Sequence, residues 1–282
     1  MNPLATPFDQ HAAKVNHVGY HNQRQNDHSD VISDGIFRDL LRACPSLQGD
    51  FEKGAVGYWR NQHIPLGRGR STDLLVAKPM ARDVLVQMNL NDIERGDLAC
   101  PSKVPMDPHE VRVAVEHKSI TTAHRNRSAR HDDLSRLAEE ARAPPRFVVA
   151  GTVMVGTALS FLNVSDRLRV QVEDEIFEEK VLPRIRAHDA ELWTDFPRAV
   201  STNKPGDSEK TIELFRTIPI RPPGNRPEPG LDALLIVPVY YDNVSEARVA
   251  RDNSFGIDVD RAYHRFIEQL ADCYARLYGP SK

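Results

Sequence analysis

The sequence predicts an α/β fold in which a central mixed β-sheet is flanked by helices. Three apolar runs have the character of strands, at 73–77, 111–118 and 147–155. A helical pattern with Leu134 and Leu137 lies between the last two runs. The order strand, helix, strand is typical of the crossover connections of α/β proteins, so we expect these three strands to share one sheet.

Composition limits the class of protein. A chain of 282 residues can bury a sizeable core, and its 40% hydrophobic and 27% charged content is that of an ordinary globular protein. The net charge of −3 gives no overall attraction to nucleic acid, so a nucleic-acid site would have to be a local basic patch. Three widely spaced cysteines predict no disulfide framework and fit a reducing cytoplasm. We expect no membrane span, because the longest apolar stretch, at 147–162, is interrupted by polar residues and glycines.

The first third of the chain is predicted to be partly helical. Residues 1–29 are rich in His, Asn and Gln and are expected to form a flexible arm. A helix is predicted from Asp30 until Pro45 ends it, and a second one over about 50–60. The segment 82–90 has the pattern of either a strand or a short helix, and the sequence does not decide between them.

The remainder is predicted to complete a single domain over 30–282. Its core, over about 35–170, is followed by a peripheral charged helix and an extended, Pro-rich surface loop, which together occupy 170–230. A strand and a final helix are predicted within 231–279.

The most informative stretch is Val-Arg-Val-Ala-Val-Glu-His-Lys at 111–118. In a strand its three valines would lie on one face, whereas Glu116 and Lys118 would project together from the other. A carboxylate and an ammonium at the end of an apolar strand are costly unless they are paired, solvated or bound to a metal. Asp73, which opens the apolar run at 73–77, provides a second carboxylate.

This combination of residue types predicts a metal-dependent phosphodiesterase. Mg²⁺ prefers oxygen ligands and commonly takes one or two carboxylates, which Asp73 and Glu116 would supply. The backbone carbonyl of His117 would be a third protein oxygen, and Mn²⁺ would be a substitute metal. Lys118 would orient or help to deprotonate the attacking water and stabilise the developing negative charge.

Other assignments of the same residues stay open at this stage. Asp107, in a Met-Asp-Pro turn, and Asp83 are rivals of Asp73 for the first acid. Glu116 and Lys118 could also be a solvated surface pair of little energetic value.

The residues Asp73, Glu116 and Lys118 resemble the two acids and the lysine of the PD-(D/E)XK, or restriction-endonuclease-like, nucleases. The resemblance covers roughly residues 35–170, and it implies a restriction-endonuclease-like core. No proline precedes Asp73, and the long interval before Glu116 implies an insertion. The resemblance also implies that an acid on the helix before the first catalytic strand can join the metal shell, and Glu52 is the candidate.

Within this superfamily the chain is most similar to a type II restriction endonuclease. It contains no G-x-x-x-x-G-K-[ST] sequence, which favours a stand-alone enzyme. The resemblance implies cleavage of double-stranded DNA at a specific sequence, and a homodimer, because two strands require two sites. The alternatives are a structure-selective repair or mobile-element nuclease, and a non-catalytic DNA-binding module with a degenerate nuclease core.

DNA contacts are predicted in two basic segments that flank the site. Arginines can neutralise phosphates and donate bidentately to guanine edges, and hydroxyl, imidazole and amide groups can support them. The candidates before the first acid are Arg68 and Arg70, and those after the Glu-x-Lys strand are Thr122, His124, Arg125, Asn126, Arg127 and Arg130.

Overall fold

The computed structural model of this chain describes most of the 282 residues. The described ranges are 6–22, 27–64, 70–80, 101–102, 104–124, 126–140, 147–164, 168, 172, 174–222, 228–252 and 254–279.

Helices and strands alternate along the chain and are labelled here in chain order. The helices are α1 (Pro7–Val18), α2 (Asp27–Ala43), α3 (Pro45–Glu52), α4 (Arg127–Glu140), α5 (Asp174–Ile176), α6 (Leu182–Arg186), α7 (Leu192–Asp195), α8 (Asp207–Arg216) and α9 (Val259–Tyr278). A π-helical turn (Phe177–Val181) joins α5 to α6, and a 3₁₀ turn (Pro197–Ala199) follows α7. The strands are β1 (Gly57–Ile64), β2 (Arg70–Pro79), β3 (Met106–Ile120), β4 (Val148–Gly156), β5 (Ser160–Leu162), β6 (Val200–Thr202), β7 (Ala233–Tyr240) and β8 (Arg248–Val249).

Six strands form a central mixed sheet in the order β1-β2-β3-β4-β7-β8. The pairs β1–β2, β2–β3 and β7–β8 are antiparallel, whereas β3–β4 and β4–β7 are parallel. Helix α4 connects β3 to the parallel strand β4, which is the crossover that the strand, helix, strand pattern predicted. The predicted α/β class with a mixed sheet flanked by helices is therefore confirmed.

Each face of the sheet has its own hydrophobic core. Helices α1, α2, α3 and α9 pack on the face that carries Val113 and Val115. Helices α4 and α8 pack on the other face, which carries Leu75 and Ala114. A smaller apolar cluster lies around the π-helical turn. Among the helices that the structure describes, none is long and apolar enough to cross a membrane.

The prediction of a flexible arm over 1–29 was wrong for α1. Thr6 and Asp9 form a reciprocal capping box at its start, and Phe8, Ala12 and Val15 are buried against the first core. These three apolar residues recur at helical spacing, but the many polar residues between them hide the stripe in the composition.

The predicted helix over about 50–60 was wrong beyond Glu52, where α3 ends. Pro45 starts α3 as well as following α2, and Gly54, with a φ of 63°, lies just after the helix end. Strand β1 then begins at Gly57. Phe51, Val56 and Trp59 have helical spacing, but the glycine between them separates a helix from a strand.

The segment 170–230 is also more structured than predicted. The charged helix over 170–193 ends at Arg186 and contains the π-helical turn. The supposed surface loop over 197–230 contains β6 and the amphipathic helix α8, whose Ile212 and Phe215 are buried. The final strand and helix lie where the sequence predicted them, whereas the segment 82–90 lies outside the described residues.

Candidate active site

Asp73 and Glu116 lie opposite each other where the antiparallel β2–β3 ladder ends. The last pair of this ladder is Leu74 with Val115, so the next residue on each strand is an acid. Leu75 and Ala114 both belong to the core under α4. Because side chains two residues apart on a strand share a face, both acids project from the α4 face of the sheet.

A β-bulge sets the alternation of β3 before the acids are reached. Val113 lies opposite Val76, but Val111 lies opposite the next residue, Ala77, so Arg112 is an extra residue in β3. Val111 consequently packs in the core under α4, whereas Val113 and Val115 pack in the first core on the other face. The prediction that all three valines share a face was wrong for Val111, because the bulge shifts the alternation by one residue.

The Asp73 carboxylate is held against the backbone of β3. Its Oδ2 accepts a hydrogen bond of 2.6 Å from the backbone N–H of His117. Burial raises the pKa of the Asp73 carboxyl, while the His117 N–H and the Lys118 ammonium act in the opposite direction. Asp30 reinforces the upward shift and Arg130 opposes it. A cation beside Asp73 would relieve the unfavourable burial of its negative charge.

Glu116 and Lys118 form a buried ion pair. Lys118 Nζ donates to Glu116 Oε1. The side chain of Glu116 is only 8% exposed and that of Lys118 only 10% exposed. Lys118 Nζ also lies 3.7 Å from Asp133 Oδ2 in α4. The pair is therefore not a solvated surface pair, and its retention in the interior needs either a stability or a functional explanation.

His117 points to the opposite face of β3 and is fully enclosed. Its Nδ1 lies 2.7 Å from Thr152 Oγ1 in β4, and its Nε2 lies 3.0 Å from Ser33 Oγ in α2. Burial lowers the pKa of His117 to about 3, and the Lys118 ammonium acts in the same direction, whereas Asp30 opposes it. The ring is consequently neutral at physiological pH, and only the backbone of His117 reaches the acids.

Glu52, the predicted helix acid, is not brought to this site. It is exposed, and its Oε1 accepts a hydrogen bond of 2.8 Å from Gln48. Helix α3 packs on the opposite face of the sheet, where Asp50 bonds to Arg112. Arg112 precedes Glu116 by four residues, which is about 13 Å along a strand.

A helix acid that the sequence reasoning missed is Asp30, on a helix before the strand of Asp73. Asp30 lies in the first turn of α2 and influences the pKa values of both Asp73 and His117. It accepts a hydrogen bond of 3.1 Å from Asn61 Nδ2 and lies 3.3 Å from Arg60. The available signal was its position at the start of an amphipathic helix, but it was treated only as the helix boundary.

Asp107, one of the two rival first acids, does not compete with Asp73. Asp107 lies inside β3 and accepts a hydrogen bond from the backbone of His109. It is nine residues from Glu116 on the same strand, or about 30 Å, so it cannot share a metal with it. Asp83 lies outside the described residues.

The basic segment after β3 is folded more tightly than a contact loop. Thr122 is buried, and His124 Nδ1 lies 3.2 Å from Asn203 Oδ1 and 3.8 Å from Asp207. Thr122 was predicted to contact DNA, and in this conformation its side chain is largely covered by protein. His124 is exposed but is held towards α8.

The later residues of this segment start α4. Asn126, at a φ of 57°, accepts the backbone N–H of Arg130, and α4 itself begins at Arg127. Arg127 is partly buried, whereas Arg130 is exposed and close enough to Asp73 to influence its pKa. Arg70 begins β2 opposite Ile64. Arg68 and Arg125 lie outside the described residues.

The donor set at this site suits Mg²⁺. Among the described residues, no group of three or more His, Cys, Asp and Glu side chains is placed to hold a metal ion. Mg²⁺ commonly takes only one or two carboxylates and fills its octahedron with water and substrate oxygens, so Asp73 and Glu116 are sufficient in number. A strand residue directs its N–H and C=O to the same side, so the His117 carbonyl belongs to the side of Asp73.

Comparisons with protein-family models, with curated proteins and with solved structures find no match to this chain. The function therefore has to be inferred from the site itself.

Proposed function

We propose that this protein is a Mg²⁺-dependent endonuclease with a restriction-endonuclease-like core that cleaves double-stranded DNA at a specific sequence, as a type II restriction endonuclease does. The observation that carries the proposal is the placement of Asp73 and Glu116 opposite each other across the end of β2 and β3, with Lys118 two residues further on the same face. Antiparallel pairing brings together residues that are 43 positions apart, so the match does not depend on the local Glu-x-Lys sequence alone.

Each residue has a role in this proposal. Asp73, Glu116 and the His117 carbonyl would hold the ion, which would supply Lewis-acid activation of the phosphoryl oxygen and of a water. Lys118, which already donates to Glu116, would orient the attacking water and stabilise the negative charge that develops on the phosphate. Arg130, exposed beside Asp73, would bind a neighbouring phosphate.

The buried Glu116–Lys118 pair supports a catalytic role. Interior ion pairs contribute little to stability compared with apolar residues of similar volume, because desolvation offsets their attraction. This pair is also placed beside a second carboxylate, that of Asp73, whose pKa is raised by burial. Perturbed and clustered ionisable groups of this kind are concentrated at functional sites.

The DNA-binding surface would be built from α4 and the start of β2. With a net charge of −3, the chain needs local cations to attract a phosphate backbone, and Arg127, Arg130 and Arg136 all belong to α4. Cleavage of two antiparallel strands would require two copies of the site, so we propose a homodimer acting in the cytoplasm.

The test is plasmid cleavage by the purified protein in Mg²⁺ and in Mn²⁺, with EDTA as the metal-free arm. Lys118→Ala should abolish cleavage, whereas Lys180→Ala, which changes an exposed lysine in the π-helical turn, should not. Discrete fragments would support a sequence-specific enzyme, and nicking confined to branched or damaged DNA would support a structure-selective nuclease instead. Salt-sensitive DNA binding with no cleavage in either metal would contradict the proposal in favour of a binding module.

A further inference from the structure

We propose that the side chain of His117 is a positioning residue, which acts with Ser33 and Thr152 to hold the Asp73 carboxylate in place for the metal. This inference rests on the proposed function, because it concerns the same site. It assigns a role to the face of β3 that lies opposite the acids, and to two hydroxyl groups that have no direct part in the chemistry.

Four hydrogen bonds make one connected network across four elements of the fold. The His117 ring bridges Ser33 of α2, at 3.0 Å, and Thr152 of β4, at 2.7 Å. Ser33 Oγ also donates to the backbone carbonyl of Asp73 in β2, at 3.3 Å. The backbone N–H of His117 donates to Asp73 Oδ2, at 2.6 Å.

Two hydrogen bonds therefore position Asp73, and His117 takes part in both. It donates one of them directly, and its ring bonds to Ser33, which donates the other. One bond fixes its backbone through Ser33, and the other fixes its carboxylate through the His117 N–H. Strand β1 pairs with the residues on either side of Asp73, but the β2–β3 ladder ends at the preceding pair, so strand pairing does not fix Asp73 against β3. The imidazole ties this end of β3 to α2, and it adds a side-chain bond to the pairing with β4, in which His117 lies opposite Thr152.

Proton counting defines the state of the ring. A carbonyl oxygen can only accept, so the single hydroxyl proton of Ser33 is used by the Asp73 carbonyl. Ser33 Oγ must then accept from Nε2–H of His117, and Nδ1 must accept from the Thr152 hydroxyl. The network is satisfied by only one neutral tautomer, with the proton on Nε2.

Ser33 and Thr152 are both 1% exposed, so water is not a ready substitute for either hydroxyl. Removal of one hydroxyl leaves a buried ring nitrogen without its partner and loosens the strand end. We expect this to weaken metal binding, in the way that the loss of residues supporting a metal ligand typically lowers affinity by about 10-fold or more.

The test compares Thr152→Val with Thr72→Val. Both substitutions replace a buried threonine by an isosteric residue, but Thr72 Oγ1 has no hydrogen-bond partner among the described residues. Mn²⁺ binding is measured by calorimetry without DNA, beside the melting temperature of each variant. We expect Thr152→Val, and likewise Ser33→Ala, to bind Mn²⁺ about 10-fold more weakly than Thr72→Val at a comparable melting temperature. Equal affinities in Thr152→Val and Thr72→Val would overturn the inference.

A second measurement is independent of metal and of activity. The ¹⁵N shifts of the His117 ring in the wild-type protein distinguish its two neutral tautomers, and we expect the proton on Nε2. A proton on Nδ1 would overturn the network even if the protein cuts DNA. If the wild-type protein neither binds Mn²⁺ nor cleaves DNA, the proposed function fails, and the positioning role for metal binding fails with it, whatever the tautomer.

Discussion

The two faces of β3 use ionisable residues in opposite ways within three consecutive positions. Glu116 and Lys118, on the α4 face, form an ion pair beside Asp73 and Asp133. His117, on the other face, is neutral and bonds to hydroxyl groups. Under the proposed function one face would carry the chemistry and the other would fix its geometry, so substitutions on the two faces should have different effects on cleavage and on stability.

The largest effect is expected from Lys118→Met. Cleavage should be lost, and the free energy of unfolding should fall by about 3 kcal/mol, because Glu116 is left as a buried charge. The double variant Glu116→Gln, Lys118→Met should recover most of that stability but none of the activity. Urea unfolding and plasmid cleavage measure the two quantities, and a double variant no more stable than the single one would contradict the buried ion pair.

On the other face, His117→Leu should reduce stability by about 2 kcal/mol at pH 7, because it leaves the hydroxyls of Ser33 and Thr152 without their ring partners. It should also alter the dependence of stability on pH. The folded pKa of His117, about 3, is below its ordinary value of 6.5, so the unfolded state binds more protons between these values. The wild-type protein should lose about 2 kcal/mol from this group between pH 7 and pH 5.

That loss should be missing in His117→Leu. Asp73, whose pKa is raised, contributes with the opposite sign, since its folded form holds a proton more tightly than the unfolded chain does. The measurement is therefore the difference between the pH profiles of wild-type and His117→Leu, with Asp73 present in both. Parallel profiles between pH 5 and 7 would show that His117 is not buried in a neutral form.

A smaller effect on stability is expected from the binding of Mg²⁺ to the carboxylates on the α4 face. Mg²⁺ at ten times its dissociation constant should stabilise the folded protein by about 1.4 kcal/mol, by mass action. Asp73→Asn should abolish this stabilisation, because it removes one of the two carboxylates, while leaving an amide of nearly the same size. Thermal unfolding with and without Mg²⁺ measures it, and equal stabilisation of wild-type and Asp73→Asn would place the metal elsewhere.

The sequence was sufficient to predict the strands that carry the candidate site, but not the residues that support them. Alternation and residue type placed Asp73, Glu116 and Lys118 on strands, since period-two patterns are local. The β-bulge at Arg112 was not predictable, because it depends on the register with β2. The Thr152 and Ser33 partners of His117 were missed for the same reason: they lie 35 and 84 residues away and no local spacing relates them.

The tertiary environment of two helices explains the other errors. Glu52 was taken as the helix acid because its helix was expected directly before the strand of Asp73, and the sequence does not show that this side chain is exposed. Helix α8 was read as loop because prolines and glycines surround its short apolar stripe of Ile212 and Phe215. In each case tertiary packing, rather than propensity, determined the outcome.

The smallest expected effects distinguish the two helix acids. Glu52→Gln should change the free energy of unfolding by less than about 0.5 kcal/mol and leave cleavage unchanged, because the side chain is exposed and bonds only to Gln48 among the described residues. Asp30→Asn should cost up to about 1 kcal/mol through its contacts with Arg60 and Asn61. It should also lower the pKa of Asp73, since a neighbouring negative charge is removed. Carboxylate ¹³C titration measures that pKa, and a shift in Glu52→Gln but not in Asp30→Asn would reverse the assignment of the helix acid.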